Sequence, residues 1–144
     1  MPTDPIFKEF MNICESSTLS DASAKGDALG WPRMSDENWH SSFVADNGGT
    51  LEDVGWRPKE EVAVSFWIAK GRASYRACSY SVTDPSGPAG LMEALTERFG
   101  PPSYLNKTDL GTTAFWNQGS MEASLSQVGS SIGIQISYDQ RPAK

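Results

Sequence analysis

The sequence predicts a single α+β domain over residues 1–144, with an antiparallel sheet of about five strands and two to three helices packed on one face. Three observations support this fold class. Residues 6–14 repeat apolar side chains at helical spacing, and a short alanine-rich helical segment follows before Gly30. Residues 62–82 and 112–138 alternate in the strand period of two, and another helical segment separates these stretches. In the last stretch, isoleucines alternate with small polar residues, which indicates a sheet with one wet face.

The helical segments have recognisable ends. The first is predicted to begin with Asp4 as its N-cap and Pro5 at the first helical position. The second is short and rich in alanine, and Ser20 or Asp21 is its predicted N-cap. The third has an apolar stripe over residues 91–99, and a Gly-Pro-Pro sequence ends it.

The strand pattern is clearest in the second half of the chain. The five predicted strands are Val62–Ala69, Arg72–Val82, Thr112–Gln118, Met121–Val128 and Ile132–Tyr138. Phe66-Trp67 and Phe115-Trp116 are each followed by a turn glycine. This echo, a short internal sequence similarity, is explained either by a duplicated αββ unit or by chance.

Residues 31–61 fit no single pattern. Ser35 is the start of a predicted helix, and an alternating strand over residues 38–45 is the alternative. The sequence Asp-Asn-Gly-Gly at 46–49 predicts a turn, because Asn and Gly tolerate positive φ angles.

Composition and charge exclude several classes of protein. Eighteen acidic residues against twelve basic ones give a net charge of −6, and there is no clustered positive charge of the kind that binds nucleic acid. No apolar run approaches the ~18 residues of a membrane-spanning helix. A hydrophobic content of 38% with five tryptophans is typical of a folded domain.

Candidate catalytic chemistry depends on His40, because it is the only histidine. A zinc site with two histidines is therefore impossible, and the sequence has no G-x-S-x-G motif for a serine hydrolase. A small hydrolase that pairs His40 with a Ser or Cys nucleophile stays as an alternative. We predict no metal site, no cofactor and no catalytic residue beyond that alternative.

The two cysteines, Cys14 and Cys78, are 64 positions apart, which excludes a CxxC motif. Three interpretations stay open at this point: two reduced and buried thiols, one disulfide that links the first helix to a central strand, or a reactive thiol.

Binding residues are predicted among the tryptophans. Trp31, Trp39 and Trp56 lie in the irregular 31–61 segment, interleaved with acidic residues. Trp67 and Trp116 are predicted to share the wetter face of the sheet, where two exposed rings would form a platform for a protein or a sugar. Packing of each ring at an edge of the core is the alternative.

The chain resembles small exported proteins of unknown function from Gram-negative bacteria. The residues that carry the resemblance are Phe10, Cys14, Ala28-Leu29-Gly30-Trp31, Cys78, Leu95, Phe99-Gly100-Pro101-Pro102, Trp116 and Ile134–Tyr138. The resemblance implies a periplasmic location and a Cys14–Cys78 disulfide, and it implies no catalytic residues. The sequence MPTDPIFKEF is not a signal peptide, so the chain is expected to be either cytosolic or a mature exported form.

Together these observations predict a non-enzymatic binding protein of the bacterial cell envelope, periplasmic or secreted, whose partner is another protein or an envelope component. Cytoplasmic location is the alternative. A small-molecule-binding α+β module is a further alternative, and it requires an apolar cavity of at least ~300 Å³. The binding-protein hypothesis predicts an exposed apolar patch larger than ~600 Å² around the tryptophans, and a uniformly polar surface would count against it.

Overall fold

The computed structural model describes residues 5–34, 50–70 and 74–139. These residues form three helices and eight strands. The helices are α1 (Pro5–Cys14), α2 (Leu19–Ala28) and α3 (Ala89–Phe99). The strands are β1 (Arg33–Met34), β2 (Thr50–Lys59), β3 (Val62–Lys70), β4 (Tyr75–Thr83), β5 (Tyr104–Thr108), β6 (Gly111–Gln118), β7 (Met121–Val128) and β8 (Ser131–Asp139).

All eight strands belong to one sheet with the order β1-β2-β3-β4-β8-β7-β6-β5, and every neighbouring pair is antiparallel. Each half of the sheet is a run of four strands preceded by a helix, and the halves meet where β4 pairs with β8. In this arrangement β2 corresponds to β6, and β3 to β7. The echo in the sequence does not follow this correspondence, because Phe66-Trp67 lies on β3 and Phe115-Trp116 on β6.

The α+β class with an antiparallel sheet is confirmed, but the predicted number of strands was too low. The five predicted strands correspond to β3, β4, β6, β7 and β8. The other three strands lack a buried alternating pattern: β2 contains Gly55 and Pro58, all five residues of β5 are exposed, and the described part of β1 has two residues. The predicted helix from Ser35, the alternative strand over residues 38–45 and the turn at 46–49 lie outside the described residues, as do the predicted N-cap Asp4 and the start of the predicted strand Arg72–Val82.

The core lies between one face of the sheet and the described helices. Phe7, Phe10 and Ile13 of α1 and Leu95 and Phe99 of α3 belong to one buried cluster with that face. The strand residues of the cluster are Val54, Trp56, Val62, Val64, Phe66, Ile68, Cys78, Tyr80, Ala114, Trp116, Met121, Ala123, Leu125, Ile132, Ile134 and Ile136. These alternate along each strand, so the period-2 pattern of the sequence determines which residues are buried.

Two contacts hold the end of α1 on the central strand β4. Cys14, the last residue of α1, forms a disulfide with Cys78, with 5.5 Å between their Cα atoms. This confirms the second of the three interpretations of the cysteines. Arg76 also donates a hydrogen bond through Nη1 to the Ser16 carbonyl oxygen at 3.1 Å, and its guanidinium lies 4.3 Å from the centre of the Tyr138 ring. A cation next to the carbonyl end of a helix is electrostatically favourable.

The N-cap of α2 is Thr18 and not Ser20 or Asp21. The Thr18 hydroxyl accepts a hydrogen bond from the Asp21 backbone N–H at 3.1 Å. A capping side chain has to precede the residues whose N–H groups it satisfies, and Ser20 and Asp21 already lie inside the first turn.

A buried tryptophan anchors the end of a helix in each half of the sheet. Trp56 on β2 donates its indole N–H to Asp27 near the end of α2, at 3.2 Å. Trp116 on β6 donates its indole N–H to the Gly100 carbonyl oxygen directly after α3, at 2.8 Å. Because β2 and β6 occupy corresponding places in the two halves, an equivalent tryptophan hydrogen bond holds the end of each helix on the sheet.

The Asp27 carboxylate also makes two hydrogen bonds with Arg33, at 2.8 and 2.7 Å. Hydrogen bonds from Arg33, and after them the one from Trp56, hold the pKa of Asp27 at about 2, below its usual 3.8. A carboxyl group with a lower pKa in the folded state stabilises that state above the unfolded pKa and loses the effect as it is protonated.

We therefore expect Asp27 to stabilise the fold above about pH 4, and this stabilisation to disappear as the pH falls from 4 to 2. The difference in urea midpoint between wild type and the Asp27→Asn variant should shrink over this interval. The difference in urea midpoint between wild type and Arg33→Gln should shrink over the same interval, because Arg33 makes the larger contribution to the low pKa of Asp27. Parallel pH profiles of wild type and Asp27→Asn between pH 2 and 5 would contradict this prediction.

Candidate functional site

The face of the sheet turned away from the core, which we call the open face, has small and polar side chains at its centre. One row of cross-strand neighbours runs from Ser65 on β3 through Ser79, Gln135 and Ser124 to Phe115 on β6. These positions alternate with core residues along their strands. The wet face expected from the sequence therefore forms in this part of the sheet.

The open face over β2–β4 is different, because it carries a small buried cluster. This cluster consists of Leu51, Trp67, Ala69 and Ala77, with Tyr75 packed against it. Trp67 is 9% exposed. The cluster covers one end of β2, β3 and β4, and the exposed part of the open face lies over the other end of these strands and over β8, β7 and β6.

A shallow trough runs along β8 on the open face. Four depressions, of about 590, 380, 270 and 240 Å³, adjoin one another and share lining residues. The trough, as we use the word, consists of Ser79, Ser81, Glu122, Ser124, Ser126, Gly133, Gln135 and Ser137. None of these residues is buried. The trough is about 30 Å long, because it follows the nine residues of β8. It is about 10 Å wide, because it spans the three strands β4, β8 and β7.

The trough has the chemistry of a binding surface. Its serine hydroxyls donate and accept hydrogen bonds, and Gln135 adds an amide. Glu122 lies opposite Ser137 in the pairing of β7 with β8, but within the described residues no hydrogen bond joins this carboxylate to a trough hydroxyl. The trough therefore presents hydroxyl, amide and carboxylate groups that can donate and accept hydrogen bonds.

An exposed apolar edge borders the trough on the side of β6. Tyr104 is 51% exposed, and its ring centre lies 5.7 Å from that of Phe115. Leu105 and Leu110 belong to the same β5–β6 hairpin. These four residues, which we call the apolar edge, are four of the six large hydrophobic side chains that are exposed in the described part of the chain. The other two are Leu29 and Val128.

The structure does not bring the predicted tryptophans together. Trp56 and Trp116 are buried on the core face, whereas Trp67 is buried on the open face. Trp31 is half-buried, with its ring centre 6.3 Å from that of Trp56, and Trp39 lies outside the described residues. The prediction that Trp67 and Trp116 share the wetter face was wrong, since they project from opposite faces of the sheet. A binding role for the five tryptophans stays a prediction, and the exposed apolar surface lies at β5 and β6 instead.

Two observations bear on the alternative functions. The disulfide joins Cys14 and Cys78, so neither sulfur is a thiol nucleophile for a hydrolase. His40 lies outside the described residues, and within them no three His, Cys, Asp or Glu side chains form a group that could hold a metal ion. The depressions of the trough are open to solvent and are lined by both serine hydroxyls and apolar side chains such as Val82 and Val128, so they are not the enclosed apolar cavity of the small-molecule alternative.

Comparisons with known proteins give no assignment. No known protein family matches the chain, and neither a curated protein nor a solved structure is significantly similar to it. Across the described ranges, no helix has the length and apolar character needed to cross a membrane.

Sequence reasoning missed the trough, although its residues have a recognisable pattern. At every second position, opposite the buried residues, the sequence places Ser124 and Ser126 on β7 and Ser131, Gly133, Gln135 and Ser137 on β8. Such a pattern predicts a face of low side-chain volume once these strands are known to be neighbours. The pairing of β8 with both β4 and β7 is what brings the small residues of three strands together.

Proposed function

We propose that the protein is a non-enzymatic binding protein of the bacterial cell envelope, which holds a segment of a partner protein in the trough. The observation that carries this proposal is the continuous, exposed trough on a sheet whose other face is packed by helices. The trough is about 10 Å wide, which is enough for an α-helix or an extended chain to lie along it.

Charge at the two ends of the trough favours a basic partner segment. Glu60 and Glu61 line the depression at one end, together with Arg57, and Glu122 and Asp139 line the depression at the other. Lysine or arginine side chains of a partner would complement these carboxylates, consistent with the net charge of −6. Tyr104 and Phe115 lie beside the trough, where exposed aromatic rings act as anchors in protein interfaces.

The disulfide supports an oxidising location, and we propose the periplasm or the extracellular space. Disulfides persist in exported proteins and are rare in the cytosol. The linked cysteines are buried and tie α1 to β4, so the bond has a structural role. This is also the location implied by the resemblance to exported proteins.

A photo-crosslinking experiment tests the proposal in the organism of origin. We expect benzoylphenylalanine at Ser126, on the trough floor, to yield a discrete adduct with one envelope protein. The same group at Glu93, an exposed residue of α3, is the matched control and should not yield that adduct. High salt should weaken the association because the ends of the trough are acidic.

A variant that fills the trough provides a second test of the crosslinking result. A Cβ atom at Gly133 would meet no heavy atom within 4 Å, so Gly133→Tyr is expected to fold and to occupy the floor of the trough. It should reduce the Ser126 adduct at least tenfold, whereas Glu93→Tyr should leave the adduct unchanged. Identical adducts from Ser126 and Glu93, or an adduct that Gly133→Tyr does not affect, would argue against binding in the trough.

A further inference from the structure

The two edges of the sheet are protected to different degrees. The described part of the edge strand β1 has only two residues; Pro32 precedes it, and the Arg33 side chain is held by Asp27. Charged residues and prolines of this kind keep other strands from pairing with an edge. At the opposite edge, all five residues of β5 are exposed and pair with β6 in unbroken register.

The outer side of β5 is suited to pairing with another strand. In an edge strand, every second residue directs its backbone N–H and C=O groups away from the sheet. The strand also exposes apolar side chains on both faces, because Leu105 shares the core side with Ala114 and Tyr104 shares the open face with Phe115. A strand added to β5 would cover apolar surface on both faces at once.

We propose that β5 pairs with β5 of a second copy of this chain, which joins the two sheets into one antiparallel sheet of sixteen strands. A two-fold axis perpendicular to the sheet keeps like faces on the same side. With the axis at Leu105, this residue lies opposite Leu105 of the second copy, and Tyr104 lies opposite Asn106. Lys107 lies opposite Ser103, so no like charges face each other.

Self-pairing explains the apolar edge better than a foreign strand does. The symmetry packs Leu105 of each copy against Leu105 of the other on the core side, and on the open face it places each Tyr104 opposite Asn106 and diagonal to the Tyr104 of the other copy. A foreign strand would need matching apolar residues on both of its faces. This inference is independent of what binds in the trough.

The dimer is expected to be weak. A standard protein interface buries about 1,600 Å², and a pairing of five residues on each side is at the low end of the range. We therefore expect concentration-dependent association in the micromolar range, which sedimentation velocity can follow from 1 to about 500 µM. The measured mass should rise towards twice the 15.7 kDa of the monomer.

Two substitutions at Leu105 test the interface, and Val128 provides the control. Leu105 is 46% exposed and Val128 71% exposed, but Val128 lies at the end of β7, away from β5. Leu105→Arg places two like charges opposite each other and should raise the dissociation constant at least tenfold, whereas Val128→Arg should not change it. Both variants should keep the wild-type circular dichroism, because both side chains are exposed.

Cysteine crosslinking locates the axis. Under mild oxidation, Leu105→Cys should form a covalent dimer, and Val128→Cys should not. A wild-type protein that is monomeric at 500 µM would overturn the proposal. An unchanged dissociation constant for Leu105→Arg, equal weakening by Val128→Arg, or equal crosslinking at both cysteine positions would also overturn it.

Discussion

Reduction of the Cys14–Cys78 disulfide is expected to lower the free energy of unfolding by about 4 kcal/mol. The bond closes a loop with a sequence separation of 64 residues, and breaking it returns conformational entropy to the unfolded chain. For a domain of this size, the same loss corresponds to a melting temperature lower by about 10–15 °C. Urea unfolding with and without reductant, followed by tryptophan fluorescence, measures the effect.

A Cys14→Ala/Cys78→Ala double variant is the control for the chemistry of reduction. Alanine avoids leaving two thiols in the core, where both cysteines are buried. The double variant should unfold near the midpoint of the reduced wild type, and reductant should not shift its midpoint. If mass spectrometry shows two free thiols and the urea midpoint of the wild type does not move, the disulfide does not stabilise the fold as argued.

Gly26→Ala is expected to destabilise the protein by at least about 2 kcal/mol, although alanine usually stabilises a helix interior. A Cβ atom at Gly26 would clash with Cζ2 and Cε2 of the Trp56 indole. The indole is fully buried, and its N–H is held by Asp27, so the ring has little freedom to move. Overpacking of a rigid core therefore outweighs the gain in helix propensity.

The matched control is Gly90→Ala in α3. A Cβ atom there would meet no heavy atom within 4 Å, so this substitution should be neutral or stabilise by up to about 1 kcal/mol. Trp56→Phe leaves more room next to α2. In that background Gly26→Ala should cost much less, which a double-mutant cycle by urea unfolding measures. A Gly26→Ala variant as stable as Gly90→Ala would show that α2 shifts away from the sheet at little cost.

Elements of this structure whose stabilising contacts lie close in sequence were predicted, whereas elements that depend on distant strands were not. The third helix was predicted with its end at Gly100, because an apolar stripe and a Gly-Pro-Pro stop are local features. Strands β6–β8 were predicted because their buried residues alternate without interruption. In contrast, β2 contains Gly55 and Pro58, and it forms because β3 pairs along most of its length. Long-range pairing of this kind overrides weak local propensity.

The candidate site was less predictable than the fold. The tryptophans stand out in the sequence, but the described ones are mostly core residues, because large rings bury the most apolar area. The residues of the trough do not stand out, since serine and glycine are common in turns and on wet strand faces. Leu105 and Leu110 were not singled out either, because isolated exposed leucines are ordinary until a fold places them on one hairpin.

By itself, the sequence determined the α+β class, the helices α1, α2 and α3 and five of the strands, since these follow from periodicity within short segments. It also limited the cysteines to three states. The tertiary structure decided which of those states holds, which face of the sheet Trp56, Trp67 and Trp116 occupy, and that β8 lies between β4 and β7. Those outcomes depend on contacts between residues that are distant in the sequence, and only the assembled sheet specifies such contacts.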